Sequence, residues 1–232
     1  MVIVSWNAPE FLTTAIEAIR RFAPDVEVLV VDNHSDVDPR SSLDSSIRAI
    51  RLPANIGHGP ALDVGFLLAR TETVVALDVD AFPIDPAWLD VFVGPLRSGA
   101  TVVGCATHRP FAHPCCLAMD KARFVRRRHS FTAQWRGDYG FDVAELVSAR
   151  EGDGVVIVPA TASMGPGYVG SVYGGVVYHN WYGTRHLREE MPDEAVLDGG
   201  MVRARALEVY ELARAAYLTT DAVGDAAPEA SG

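Results

Sequence analysis

Cysteine is scarce in this chain: Cys105, Cys115 and Cys116 are the only three among 232 residues. Three thiols, two of them adjacent, make no disulfide framework, so a reducing, cytoplasmic setting is the expectation. Long hydrophobic runs are also missing. The opening MVIVS is too short for a signal peptide, and no stretch reaches the length of a membrane span. Positive charge is in deficit, with 20 Lys and Arg against 30 Asp and Glu and a net charge of −10. A phosphate backbone calls for a basic face, so nucleic acid is excluded as a general partner. Internal repeats are absent as well.

What remains is an ordinary globular composition, 49% hydrophobic and 22% charged, in a chain long enough for a substantial core. Short apolar runs alternate with helical periodicity. Met1–Ser5, Val26–Val31, Ile47–Leu52 and Val74–Leu77 read as strands, the first followed by a helix begun at Pro9 and stopped by Pro24. A small-residue helix is expected from Pro60 to Ala69, another from Pro86 to Leu96, and further strands over Thr101–Ala106, Cys115–Met119 and Val176–His179. This alternation predicts an α/β fold with a mostly parallel wound sheet flanked by helices. Each early strand ends in polar or glycine-containing sequence, which lines Asn7, Asp32, Asn55, Asp78 and Asp80 along one rim.

The pair Asp78 and Asp80 is the focus of that rim. Residues two apart on an extended chain face the same way, with Cβ atoms roughly 6.5–7 Å apart. Two carboxylates so close repel unless a cation is shared. Mg²⁺ takes one or two carboxylates together with substrate phosphates, and ligands of open α/β sheets settle beyond the carboxyl ends of the strands. The pair therefore reads as a metal–diphosphate site, against the plainer reading of two solvated acids at a strand end.

The pieces VIVSWN, VLVVDNHS, PANIGHGPALDVGF and LDVDAFPIDPAWLD, in this order and spacing, resemble the nucleotide-sugar half of the family 2 glycosyltransferases, inverting enzymes of GT-A fold that include rhamnosyltransferase-like members. The likeness continues more thinly to about Arg185. It implies a nucleoside-diphosphate sugar donor held with Mg²⁺ or Mn²⁺, and an acceptor bearing a hydroxyl (glycan, lipid-linked or small molecule). It assigns Ser5, Trp6, Asn7, Asp32, Asn55, Gly57 and Asp78 to the nucleotide, and Asp80, Asp78 and His179 to the metal. It puts the catalytic base at Asp142, with Phe141 where the family usually has Glu and Asp138 in reserve. Asp142 also reads as a helix N-cap completed by Glu145. Trp135, Tyr139, Trp181 and Arg185 are the candidate sugar and acceptor contacts, through flat aromatic faces and a guanidinium.

By the same resemblance the domain spans 1–190, with a nucleotide-sugar half over 1–98 and an acceptor half over 99–190. A helical extension, 191–220, presents one apolar stripe, which leaves packing on the domain or a homodimer open. Residues 221–232 read as a disordered tail. The Gly-rich stretch Met164–Gly175 reads as a lid. The His113–Cys116 cluster lacks the spacer of a zinc site. The basic run Lys121–His129 reads as a solvated surface, or as contact with an anionic acceptor or the inner face of a membrane. Two rival functions stay open: a non-catalytic nucleotide-sugar-binding subunit and a sugar-phosphate nucleotidyltransferase. The second lacks the Gly-rich, Arg- and Lys-bearing loop such an enzyme needs after its first strand.

Overall fold

The computed structural model describes residues 1–164, 170–181 and 203–219. Its strands are β1 (Val2–Ser5), β2 (Leu29–Asp32), β3 (Arg48–Arg51), β4 (Thr73–Asp78), β5 (Ala81–Pro83), β6 (Val102–Cys105), β7 (His113–Asp120), β8 (Gln134–Arg136), β9 (Tyr139–Phe141), β10 (Val155–Val158), β11 (Ala160–Ser163), β12 (Ser171–Tyr173) and β13 (Val177–His179). The helices are α1 (Pro9–Phe22), α2 (His58–Leu68), α3 (Trp88–Arg97), α4 (Lys121–Arg126), α5 (Glu145–Glu151) and α6 (Arg203–Arg214), the last running into a π turn over Ala215–Thr219. Seven strands form the main sheet in the order β10-β6-β7-β4-β1-β2-β3. Only β7 runs antiparallel to its neighbours, β4 and β6. Four strands, β11-β12-β13-β5, make a second sheet, and β8 and β9 pair as a hairpin.

The main sheet is apolar on both faces because helices cover both. Alternation along β1 sends Val2 and Val4 to one core and Ile3 to the other; along β2, Leu29 and Val31 part from Val30 in the same way. The core of Ile3 and Val30 takes Phe11, Leu12, Ala15 and Ile19 of α1 and Phe92 of α3; the core of Val2 and Val4 takes Leu62 and Phe66 of α2 and Phe124 of α4. Helix α1 begins at Pro9, whose missing N–H costs nothing there, and ends with Arg20 and Arg21 in its last turn.

Differences from the expected elements have local causes. Residue 26 starts no strand, because pairing with β1 begins only where the Leu29 N–H donates to Met1 O at 2.9 Å. Helix α2 starts at His58 rather than Pro60, since Gly57, at φ 90°, already turns the chain into it. The lid reading does not hold for 171–173, which is the buried strand β12; residues 165–169 lie outside the described residues. The stripe of the C-terminal extension packs on its own chain at Tyr210, whose ring lies 4.3 Å from that of Phe11, and Val209 and Ala213 are buried with it. Gly199, Gly200 and the tail from residue 221 lie outside the described residues. No helix among the described residues is long and apolar enough to cross a membrane.

Helix α2 lies unusually close to the chain segment after α4. A Cβ on Gly59 would meet the Phe131 carbonyl oxygen at 2.4 Å, a backbone atom that cannot rotate away. Gly59→Ala is expected to cost about 1–3 kcal/mol through overpacking, read as a melting temperature lowered by about 2–4 °C per kcal/mol. A second clamp joins α4 to α5. Glu151, its side chain fully buried, accepts from Arg123 Nε at 2.7 Å and from His129 Nε2 at 2.5 Å, with Arg127 Nε 3.6 Å away. Burial works to raise the carboxyl's pKa, but the bonds from Arg123 and His129 outweigh it and hold it at about 2. Such a depressed group stabilises fully above its unfolded pKa near 4.5 and loses that contribution as the pH falls towards 2. Acid unfolding followed by circular dichroism should show a stability slope between pH 5 and 2 that is shallower in Glu151→Gln.

Candidate active site

The strand ends on one side of the main sheet are laced to one another. After β1 the chain turns through Asn7 at φ 48°, a left-handed conformation that asparagine tolerates. The Asn7 backbone N–H donates to Ser35 Oγ at 2.9 Å, its Nδ2 to Asp36 Oδ2 at 3.0 Å, and its Oδ1 accepts from the Asp36 N–H at 2.8 Å. After β3, Asn55 Oδ1 accepts from Asn33 Nδ2 and from the Gly57 N–H, both at 2.9 Å, while the Ile56 N–H donates to Asn33 Oδ1 at 3.0 Å. The first three strand ends thus become one hydrogen-bonded ledge, formed by Asn7, Asn33, Asn55 and their neighbours.

Asp32 lies beneath this ledge rather than on it. It is fully buried, accepts from the Ser35 N–H at 3.1 Å and Ser35 Oγ at 2.5 Å, and stands 3.3 Å from Arg51 Nη1. Arg51 in turn donates from Nη2 to Ser35 O at 2.6 Å. Ser5, 2% exposed, is buried likewise, and its carbonyl accepts from the Asn33 N–H at 2.8 Å.

At the end of β4 the two acids meet a histidine from almost a hundred residues further along. Strand β13 pairs antiparallel with β5 so that His179 stands opposite Ala81, and the Asn180 N–H donates to Asp80 O at 3.0 Å. His179 Nε2 then lies 3.3 Å from Asp80 Oδ1 and 3.6 Å from Asp78 Oδ2. One ligand atom from each of Asp78, Asp80 and His179 falls within 4.8 Å of the others. On its other side Asp78 Oδ1 lies 3.1 Å from Nε2 of His58, the first residue of α2.

The charges respond to this crowding. Burial would raise Asp78, but the bond and charge of His58, with the charges of His179 and His113, hold its pKa well below the usual carboxylate range. Burial opposes a charged His58, and Asp78 outweighs it to raise the imidazole. Burial likewise opposes charge on His179, while Cys115 and Asp80 push its pKa well above the ordinary histidine value. Two carboxylate oxygens and one imidazole nitrogen on converging strands form a donor set for a small divalent cation; Mn²⁺ and Mg²⁺ both suit its oxygens. The set suits one, because two carboxylates this close stay ionised together only where positive charge is brought to them.

The hairpin β8–β9 and the turn before α5 complete the cleft. Asp142 is exposed, and its charge reaches His58, which places it on the same side as Asp78. The expected capping box forms only in half: Glu145 Oε2 accepts from the Asp142 N–H at 2.9 Å, but the Asp142 carboxylate bonds the Val143 N–H at 2.7 Å and α5 begins at Glu145. The turn is fixed from behind by Glu145, which also takes Tyr139 OH at 2.8 Å and Arg109 Nη2 at 2.6 Å. Asp138, exposed in the hairpin turn beside Gly137, makes no hydrogen bond or ion pair among the described residues.

The aromatic candidates divide. Trp135 is 78% exposed, its ring against Gly140 across the hairpin. The Tyr139 hydroxyl is committed to Arg109 and Glu145. Trp181 packs 4.8 Å from the His179 ring and 4.9 Å from His113, and its Nε1 donates to Tyr173 OH at 3.1 Å. Arg185 lies outside the described residues. The structure also adds residues that the sequence did not single out: His58, Arg51, Arg109 and Glu145 beyond its capping role. Of these only His58 carried a signal, as the titratable residue directly after the Asn55-Ile56-Gly57 loop.

The glycosyl transferase family 2 model matches residues 1–128, more than half of the 232-residue chain. No curated protein matches the sequence. Among solved structures, the chain is similar to glucosyl-3-phosphoglycerate synthase from Mycobacterium tuberculosis in complex with phosphoglyceric acid, at 19% identity and a TM-score of 0.52 over 68% of each chain. The same synthase with Mn²⁺ and UDP-glucose matches at 18% identity and a TM-score of 0.52, over 68% of this chain and 67% of that one. The mannosyltransferase PcManGT from Pyrobaculum calidifontis, with GDP-Man and Mn²⁺, matches at 17% identity and a TM-score of 0.49, over 67% and 55%. At these identities the likeness to the synthase is one of fold, and that fold is GT-A. With the motif order, the strand-end ledge and the matching family model in agreement, the chain is a glycosyltransferase and belongs to glycosyl transferase family 2.

Proposed function

We propose that the protein transfers a sugar from a nucleoside-diphosphate donor to an acceptor hydroxyl with inversion at the anomeric carbon. The observation that carries the reading is the convergence of Asp78, Asp80 and His179 at the end of β4, beside a ledge of amide side chains. Asp78, Asp80 and His179 would hold Mg²⁺ or Mn²⁺, which supplies Lewis-acid neutralisation of the departing diphosphate. Solved structures of this fold contain Mn²⁺ with UDP-glucose, which supports that choice.

The chain's own residues account for the rest. Asn7, Asn55 and Gly57, with Trp6 beside them, line the nucleoside end of the ledge. Buried Asp32 and Ser5 act from below: Asp32 orients Ser35 and Arg51, and through them the loop that faces the base. Asp142 takes the proton of the acceptor hydroxyl as its oxygen bonds the anomeric carbon and the bond to the diphosphate breaks. Glu145 and Arg109 hold the Asp142 turn in place. Trp135, on the exposed hairpin, offers a flat face to a sugar ring. A non-catalytic nucleotide-sugar-binding subunit is the second reading, favoured by Phe141 at the place where the family usually carries Glu. The buried, unpaired cysteines fit the reducing, cytoplasmic setting that belongs to this proposal.

A thermal-shift panel of UDP, GDP and dTDP with and without Mn²⁺ tests the site. The cognate nucleotide at a hundred times its dissociation constant adds about 2.7 kcal/mol, a shift of several degrees, and Asp80→Ala removes its Mn²⁺-dependent part. The same variant should lose about a hundredfold or more of transferase activity, since metal stabilisation of the leaving group is worth several kcal/mol; near-wild-type turnover without added metal would contradict the assignment. For the base, Asp142→Asn should lower kcat by about 10²–10⁴ while the nucleotide shift stays as in the wild type. If Asp142→Asn retains full turnover, the proton goes elsewhere, with Asp138 next in line. A wild-type protein that binds nucleotide sugar and never turns over is the binding subunit.

A further inference from the structure

The arginine-rich stretch that forms α4 has no part in the donor cleft. Helix α4 packs on α2 through Phe124 and Phe66, ring centroids 5.1 Å apart, and then stops in a Schellman turn. In that turn the His129 N–H donates to Phe124 O at 3.0 Å and the Arg128 N–H to Val125 O at 3.1 Å. The residue forced into the left-handed conformation is Arg128, at φ 51°. Glycine is the common occupant of this position, having no Cβ to strain. Strain kept by a longer side chain tends to collect at functional sites.

The Arg128 side chain lines a cavity of about 130 Å³ between the end of α4, the start of the hairpin and α5. Arg128, Arg150, Ser130 and Gln134 are the polar part of its lining, which Leu146, Val147 and His129 complete. A water takes up about 30 Å³ in the liquid, so the cavity has room for a tetrahedral oxyanion. No carboxylate pairs with Arg128 among the described residues, and Arg150 spends one nitrogen on a backbone oxygen, Arg128 O at 3.2 Å. The Gln134 side chain has no hydrogen-bond partner among the described residues. The acids that touch this segment are already taken. Glu151 holds Arg123 and His129, and Asp63 accepts from Ser130 Oγ at 2.6 Å and the Phe131 N–H at 2.7 Å. The His129 side chain is fully buried and is bonded to Glu151 through Nε2. Exposed Arg126 and Arg127 add to the positive field.

Two guanidiniums, a hydroxyl and an amide without a hydrogen-bond partner around one small cavity call for an anion. We infer that this cavity is a binding site for a phosphate group, separate from the Asp78–Asp80–His179 cluster. Guanidinium forks match phosphate oxygens in pairs. Soluble phosphate esters and lipid headgroups both present this chemistry.

The test uses the full chain. Melting curves are recorded with inorganic phosphate or glycerol 1-phosphate against chloride at equal ionic strength, and flotation with vesicles of phosphatidylglycerol and phosphatidylcholine against phosphatidylcholine alone. Arg128→Gly keeps the left-handed turn that glycine favours, so it should melt near the wild type without ligand; Arg150→Gln serves as an independent variant. The expected result is a saturable, phosphate-specific rise in melting temperature, or flotation that needs phosphatidylglycerol, weakened about tenfold or more in each variant through loss of charge-assisted hydrogen bonds. A shift without flotation identifies a soluble ester, and flotation identifies a headgroup. Asp80→Ala should retain this binding while losing the Mn²⁺-dependent nucleotide shift, which separates the inference from the donor reading. Absence of both signals, or undiminished binding in both variants, overturns it.

Discussion

Asp78 ends the buried strand β4 and Asp80 stands in the turn between it and β5, so the two strands fix both acids. Side by side, two carboxylates stay ionised only if positive charge is brought to them. The chain brings it from two directions. Helix α2 delivers His58 to Asp78 at 3.1 Å, and the antiparallel pairing of β13 with β5 delivers His179 to Asp80 at 3.3 Å. The second sheet is therefore more than a cover for α1. Its register, with His179 across from Ala81, sets where the third ligand stands, and a slip of one residue would turn the ring to the other face.

The same reasoning explains why the ledge beside these acids is built from amides. Asparagine can donate and accept at once, so Asn33 and Asn55 bond each other and the N–H groups of Ile56 and Gly57, and Asn7 bonds Asp36, without adding charge. A ledge of acids would have deepened the repulsion already present at Asp78 and Asp80. Of the two carboxylates in this part, Asp36 is exposed and accepts from Asn7 Nδ2, while Asp32 is withdrawn into the interior and balanced by Arg51.

Much of this was legible in the chain because it is local. Apolar runs that end in polar residues specify buried parallel strands and their rim, so β1, β3, β4 and the line of Asn7, Asn55, Asp78 and Asp80 could be read directly. His179 could be read too, as the end of a short apolar run, but only the family resemblance tied it to a metal. Other features depend on pairings that leave no period in the sequence. The three-residue strands β5, β8, β9 and β12 are too short to show alternation, and Ser171–Tyr173 looked like a loop because of the glycines around it. Trp181 carried the signature of a sugar platform, yet its ring is engaged by His113, His179 and Tyr173. Burial of an aromatic is decided by what packs over it, and that is tertiary information.

The Asp142 turn shows how sequence spacing can find one contact and miss the rest of its setting. Sequence spacing suggested Glu145 as the partner that completes a cap. In the fold Glu145 does reach the Asp142 N–H, but its carboxylate also gathers Arg109 and Tyr139, residues from β9 and from the loop before β7. That carboxylate is buried and fully bonded, whereas the Asp142 carboxylate, three residues earlier, is exposed and holds only the next backbone N–H. The two acids have divided the work between them. One fixes the backbone at the price of its own availability, and the other keeps a carboxylate free to face the cleft. The base role proposed for Asp142 asks for a carboxylate both held in place and left accessible, and a single side chain bonded on all sides cannot meet both demands.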